Sequence, residues 1–427
     1  MAARAGLAGL VIDLGPLREG RGFRIVLAVR LISLFGGGFR LVALPLQVYA
    51  MTGSSVLVAS VAVVNGLAGF GGTLVGGVLA DRLDRRRLTV FSLAVETVVV
   101  ALFAVNTYLP GGPELWVVYL CAAVNGVIGT MGLIAQQTLV PALVGPGRLA
   151  AAGALLALTA QFGAVTATAP ALGGALVSLG GVGAGYLITC GITAVAAAAA
   201  WFLPPVATAP GAERVPAPRA MAEGLAFVAR HPVVRPLLLL GFVQVLFTMP
   251  AVLIPEFTDR VLGADAAVAG LLYTAPAAGA LLASLSSGWT GRVRRGGAVV
   301  PAAVALGGAF VAAVGLGRTA AVALVALALL GCCQAVEEIL RYALIQSHTP
   351  DALRGRVNSA WLAQATVGGS LGATLMGALA AALGTAAALA VAGGAGALAA
   401  AAIALTAPGL RRAGEGAPAL PDTTPDC

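Results

Sequence analysis

Polar positions along this chain gather into short clusters, and the clusters separate long, almost uninterrupted apolar runs. Neither the strict alternation of half-buried strands nor the one-sided stripe of surface helices prevails. The runs are about 20 residues long, the length at which a helix crosses roughly 30 Å of hydrocarbon. Twelve spans are predicted, over 23–46, 56–80, 88–109, 115–140, 150–178, 183–203, 233–255, 266–288, 297–316, 319–345, 357–382 and 385–408. The expected fold is an all-α integral membrane protein with twelve transmembrane helices in two pseudo-symmetric six-helix bundles.

One stretch breaks the rhythm. Residues 204–232 carry Pro204, Pro205, Pro210, Pro216 and Pro218, then an amphipathic segment from Met221 to Arg230 that ends at His231-Pro232. The division that follows is an N-terminal arm (1–22), a six-helix bundle (23–203), a linker with an amphipathic helix (204–232), a second bundle (233–408) and a Pro-rich, disordered tail (409–427). The halves echo each other. Pro141 to Arg148 after the fourth span resembles Pro350 to Arg356 after the tenth, and Gly72-x-x-x-Gly76 has a counterpart in Gly368-x-x-x-Gly372. Small residues at that spacing let membrane helices approach closely. The arm holds Arg4, Arg18 and Arg21 with Asp13, Pro16 and Glu19 among them, and no short apolar core with a cleavage site. The first span is therefore expected to act as its own insertion signal.

Composition agrees with the pattern. Of 427 residues, 59% are hydrophobic and 10% charged, and the mean hydropathy is +0.97. A soluble domain carries about a quarter of its residues charged. The net charge of +8 is not a nucleic-acid signal, because its positions explain it. All 25 basic residues are arginine, twenty fall in the even-numbered loops and termini, two (Arg260 and Arg318) in the odd-numbered loops, and three within spans. That asymmetry predicts a multi-pass membrane protein with both termini cytoplasmic. Cys121, Cys190, Cys332 and Cys333 lie in apolar runs, and no C-x-x-C, H-E-x-x-H or P-loop spacing occurs. No metal, cofactor, ATP-driven pump or enzyme is expected from such a chain.

The most specific motif joins the second and third spans: Gly76-Gly77-Val78-Leu79-Ala80-Asp81-Arg82-Leu83-Asp84-Arg85-Arg86-Arg87-Leu88. Gly77 permits a close helix contact, Asp81 is suited to cap a helix or pair with an arginine, and the arginines fix the loop on the cytoplasmic side. The motif resembles the signature loop of the major facilitator superfamily, G-x-L-a-D-R-x-G-R-R-x-L. Gly77, Asp81, Arg82, Arg85 and Arg86 match its gating positions, whereas Asp84 stands where that family usually has glycine, which puts a tight turn there in doubt. The loop Gly288 to Arg295 is a degraded copy without the aspartate. In the fifth span Pro170-x-x-Gly173-Gly174 matches the end of a pattern associated with antiporters of the superfamily, with Val165 and Ala169 where glycine is usual; plain packing accounts for it equally well. Over nearly the whole chain the resemblance is to the enterobactin exporter branch. It is carried by Phe23-Arg24, Arg30 to Ser33, Pro141 to Gly145, Glu223-Gly224-Leu225-x-Phe227 and Thr349 to Asn358 with Trp361 and Gln364. This resemblance implies a monomeric, proton-driven exporter of the plasma membrane, with a siderophore or a hydrophobic drug as substrate.

Ionisable groups inside spans are costly and mark pathways. They are Arg30 and Arg40 in the first span, Glu96 in the third, and Glu337, Glu338 and Arg341 in the tenth. In the superfamily fold, helices 1, 4, 7 and 10 line the central cavity. Either Glu337 (i, i+4) or Glu338 (i, i+3) is placed to pair with Arg341, and the pair of acids with Arg341 is the candidate proton-coupling site; a structural ion pair is the alternative. Arg30, Arg40, Asn125, Gln137 and Gln244 are candidates for a substrate cavity, Arg30 as an attractor of anionic or catecholate substrates. Phe35, Phe39, Tyr49, Phe242, Phe247 and Trp361 are available for stacking or simply for packing. The function expected is secondary-active, proton-antiport export of a small organic molecule, foremost an enterobactin-like catecholate. Macrolide or multidrug efflux is the nearest alternative, and a membrane sensor or scaffold on a transporter fold the more distant one.

Overall fold

The computed structural model describes residues 20–144, 164–204, 226–285 and 296–413. Among them, eleven helices are long and apolar enough to cross a membrane. In chain order they are α1 (Arg21–Thr52), α2 (Ser55–Arg82), α3 (Arg85–Thr107), α4 (Leu115–Leu143), α5 (Ala164–Trp201), α6 (Val234–Phe247, carried on to Val261), α7 (Ala266–Leu285), α8 (Gly296–Leu316), α9 (Ala320–Ser347), α10 (Asp351–Leu383) and α11 (Thr385–Thr406). The N-terminal arm, most of the linker, the degraded copy of the signature loop and the tail from residue 414 onward lie outside the described residues.

The predicted spans 150–178 and 183–203 meet within α5. Its 38 residues would stretch about 57 Å as a straight helix, far beyond one crossing. Gly181, at φ 74° and ψ 172°, is not helical, a conformation that glycine adopts without a side-chain clash. The chain reverses there. A Cβ at Gly38 of α1 would meet Ala169 and Pro170, while one at Gly36 would meet Ile192 and Thr193. Residues roughly equidistant from Gly181 on either side thus touch α1 at one height, as in a hairpin. A reversal on one glycine leaves no loop, so the two predicted spans join in one element and eleven long helices, not twelve, occur among the described residues.

The seventh span also departs from expectation. Its regular helix stops at Phe247, and a 3-10 turn (Pro250–Leu253) precedes a short α segment and a π turn that ends at Val261. Pro250 and Pro255 lack the N–H that would continue the ladder. Thr248 turns its hydroxyl back to the Gln244 carbonyl at 2.7 Å.

Helix pairing repeats along the chain. α2 packs on α4 as α7 packs on α9; α3 packs on α4 and α5 as α8 packs on α9 and α11; α1 packs on α5 as α6 packs on α10. Two further contacts, α2 with α10 and α5 with α7, join the first set to the second. Glycines make the latter approach possible. A Cβ on Gly174 would lie 2.6 Å from Gly270 Cα, and one on Gly270 would lie 2.7 Å from the Pro170 carbonyl oxygen. At the end of the molecule that holds Gly53, polar bonds bridge the same two sets. Tyr49 donates to Asp259 at 3.3 Å, Ser178 to Asp265 at 2.7 Å, and Ser55 to the buried Glu256.

Candidate functional site

Four residues on three helices build a polar cluster inside the second set. On α9, Glu337 and Arg341 share a face one turn apart, and Arg341 Nε lies 2.6 Å from Glu337 Oε1. Their side chains are 1% and 5% exposed, whereas Glu338, about 100° round the helix, is exposed. The structure thus gives the close pairing to Glu337. The guanidinium lies over the Trp361 ring of α10 at 4.4 Å, a favourable place for a desolvated cation. It also lies against the backbone of Gly241 on α6, where any Cβ would collide with it, and the Gln364 amide nitrogen is 2.9 Å from that same point. Gly241 is therefore the gap that admits the arginine head. Gln244, one turn along α6, faces the Glu337 carboxylate.

Hydrogen bonding in this cluster is incomplete. Both carboxylate oxygens of Glu337, Nε and Nη1 of Arg341, and both amide atoms of Gln364 are buried without an aligned hydrogen-bond partner among the described residues. The ion pair is close in distance but poorly directed. Buried polar groups are nearly always paired, and each unpaired one costs about 1–3 kcal/mol.

The other predicted residues fall elsewhere. Arg40 pairs with Glu96 of α3 at 2.7 Å. Nearby, Tyr186 of α5 donates to Gln47 at 2.7 Å and stacks on Phe103. These bonds tie α1, α3 and α5 together. Arg30 is 7% exposed, and its Nε and Nη1 have no hydrogen-bond partner among the described residues, so it keeps capacity for an anionic partner. Asn125 is buried with its Oδ1 unpartnered among the described residues, while Gln137 is exposed and Gln136 beside it is buried. Phe35 packs on Phe39 at 5.1 Å.

The signature motif is mostly helical, and its joint shrinks to Leu83-Asp84. Asp84 caps α3 by accepting from the Arg86 N–H at 2.8 Å, with a negative φ that needs no glycine. Of the two roles open to Asp81, a helix cap or a pair with an arginine, its place within α2 does not fit the cap at the start of α3, which Asp84 supplies. Arg85 donates to the Thr138 carbonyl near the end of α4 at 2.9 Å, and Arg86 to that of Trp201 at the end of α5 at 2.6 Å. Cations at helix C-termini also suit the helix dipole. Beyond their helical backbone, the surroundings of Gly77, Asp81 and Arg82 lie outside what the structure describes. In the antiporter-like motif, Gly173 packs on the Phe39 backbone and Gly174 on α7.

Comparison with known proteins bears on this arrangement. The family model of the Major Facilitator Superfamily matches residues 26–322 and 237–423. The chain is 33% identical over 376 residues to the enterobactin exporter EntS of Shigella boydii serotype 4 (strain Sb227), spanning 86% of this chain and 88% of that one. EntS of Escherichia coli O1:K1 / APEC matches with the same identity and coverage. Among solved structures, a bacterial homologue of the iron transporter ferroportin in an inward-facing state superimposes with a TM-score of 0.69 over 90% of this chain and 98% of that one, at 18% identity. At that identity the likeness concerns the fold.

Proposed function

The chain belongs to the Major Facilitator Superfamily, and we propose on that premise that it is a proton-antiporting exporter of a small organic molecule across the plasma membrane. The likeness to EntS supports export and makes a catecholate siderophore the foremost substrate class. The reversal at Gly181 and the repeated helix pairing support twelve crossings in two six-helix bundles, 23–203 and 233–408, joined by the linker 204–232. The arginine asymmetry supports cytoplasmic termini.

The observation that carries the antiport reading is the buried, hydrogen-bond-poor group of Glu337, Arg341 and Gln364. A carboxylate inside a dry helix bundle needs either a counter-charge or a proton. Arg341 supplies the counter-charge in the arrangement described. Movement of Arg341 away from Glu337, toward a substrate oxygen or with α9, leaves the carboxylate to be neutralised by a proton. Return of Arg341 expels that proton. Glu337 is thus the proton carrier, Arg341 its modulator, and Gln244 a cavity group. Arg30, with its unpaired donors, is placed to attract an acidic substrate, and Arg40 serves α1 through Glu96. Protein, proton and substrate suffice as partners, and a monomer is the expected unit.

The test is transport into inside-out vesicles of a catecholate siderophore and a macrolide side by side, with and without an imposed proton gradient. Gradient-dependent uptake of the siderophore alone supports the proposal. Uptake of the macrolide alone would make the protein a drug exporter, and uptake of neither would remove the substrate assignment.

A further inference from the structure

The sequence leaves two arginines in the odd-numbered loops, Arg260 and Arg318. Although 58 positions separate them in the chain, both line one cavity of about 620 Å3 at the end of the molecule that holds Gly53. Its wall also includes Glu256, Gly315, Gly384 and Thr385. The carboxylate of Glu256 is already engaged, one oxygen by Arg260 at 3.0 Å and the other by the Ser55 hydroxyl. The positive charge left over in the cavity is that of Arg318, which is exposed and has no ion pair among the described residues.

The opposite wall is the start of α11. Its N-cap is Gly384, which has no side chain to cap with, and its first turn holds no acidic residue. The first N–H groups of a helix lack partners within it, and those of Thr385, Ala386 and Ala387 have none among the described residues. Helix N-termini with free N–H groups and a positive dipole end favour anions. An independent feature points the same way. Thr385 is 5% exposed and lines the cavity, yet its Oγ1 is buried without a hydrogen-bond partner among the described residues. A buried hydroxyl left unpaired costs about 1–3 kcal/mol unless a ligand meets it.

We propose that this cavity is an oxyanion site, with Arg318 supplying charge, the Thr385 hydroxyl and the first turn of α11 supplying hydrogen bonds, and Arg260 shielding Glu256 from the anion. The ligand class is a phosphate oxyanion. A free phosphate and the phosphodiester of an anionic lipid headgroup share that chemistry, and the site stands apart from the Glu337–Arg341 cluster.

Calorimetric titration of the purified full-length protein, in detergent and phosphate-free buffer, distinguishes the sources. One arm adds inorganic phosphate, a second adds a short-chain phosphatidylglycerol, and a third adds the matching phosphatidylcholine. Saturable binding in the first arm identifies a free-anion site, and binding in the second but not in the first or third identifies an anionic headgroup site. In either case Arg318→Gln and Thr385→Val each weaken binding by about tenfold, the effect of one lost charged or buried hydrogen bond. Arg318 is exposed, so its variant is expected to fold even if Thr385→Val does not. No saturable binding in any arm, equal binding of phosphatidylcholine, or binding that Arg318→Gln leaves unchanged overturns the proposal.

Discussion

Glu337 and Glu338 are adjacent in sequence and opposite in circumstance: one is buried against Arg341, the other exposed. Their spacing to Arg341 allowed either to pair, so the sequence located the charge cluster without resolving its members. The choice depends on which face of α9 meets α6 and α10, and helical spacing alone does not contain that. Gly241 was less legible still, because a glycine inside an apolar run has no signal for an arginine arriving from a helix about 100 positions away. The Arg40–Glu96 bond was equally hidden, although each residue stood out singly. If Glu337 carries the proton, Glu337→Gln abolishes gradient-driven transport while substrate binding persists, and Glu338→Gln leaves most transport intact; vesicle transport with parallel binding measurements checks both. Gly241→Ala forces the Arg341 head off its place between Gly241 and Trp361. Transport is expected to fall about tenfold or more, the effect of losing a charge-assisted contact, in a protein that still folds, as thermal unfolding would show.

A second residue-level expectation concerns pH. His231, ahead of α6, accepts the N–H groups of Val233 and Val234 through Nδ1, both at 3.2 Å. Burial, and then the neighbouring His348, hold its imidazole below the ordinary histidine range. The unfolded chain takes up this proton near pH 6.5 and the folded one only at lower pH. The stabilisation from this contact is therefore complete above about pH 6.5 and is lost as pH falls toward the folded value. Thermal unfolding midpoints should drop between pH 7.5 and 5.5, and drop less in His231→Asn, which keeps an acceptor that does not titrate.

Elements were mostly visible in the apolar runs, and where they differ from expectation the cause is local. α10 begins at Asp351 and α2 runs on to Arg82, so helix extends into segments read as loops. Polar residues past the hydrocarbon remain good helix formers in water, and the apolar count cannot see them. The break in α6 was foreshadowed by Met249-Pro250 and Pro255 within a run that passes for one span. Gly174 and Gly270 show what small residues contribute, because their contact is backbone to backbone and no rotamer change relieves a clash. Gly174→Val should lower the thermal unfolding midpoint by an amount corresponding to about 1–3 kcal/mol of overpacking. Gly37→Ala, where a Cβ meets nothing within 4 Å, should be neutral or slightly stabilising.

At the scale of the molecule, one pattern of helix pairing occurs twice and two crossed contacts, α2 with α10 and α5 with α7, join the copies. The sequence showed this repetition only faintly. The Gly72/Gly76 and Gly368/Gly372 pairs resemble each other, yet the first serves α2 against α4 and the second α10 against α6. Internal symmetry in membrane helices is a matter of packing geometry, and many small-residue patterns satisfy it. The two copies meet along a shared seam, and the second holds the buried Glu337–Arg341 pair on which the proposed antiport rests. The most direct test of the proposed antiport is reconstitution into liposomes that hold a pH-sensitive dye, with no imposed gradient, followed by addition of a catecholate siderophore. Substrate entry accompanied by proton movement in the opposite direction, present in the native protein and absent in Glu337→Gln, is the predicted result; substrate entry with no proton movement in the native protein would contradict it.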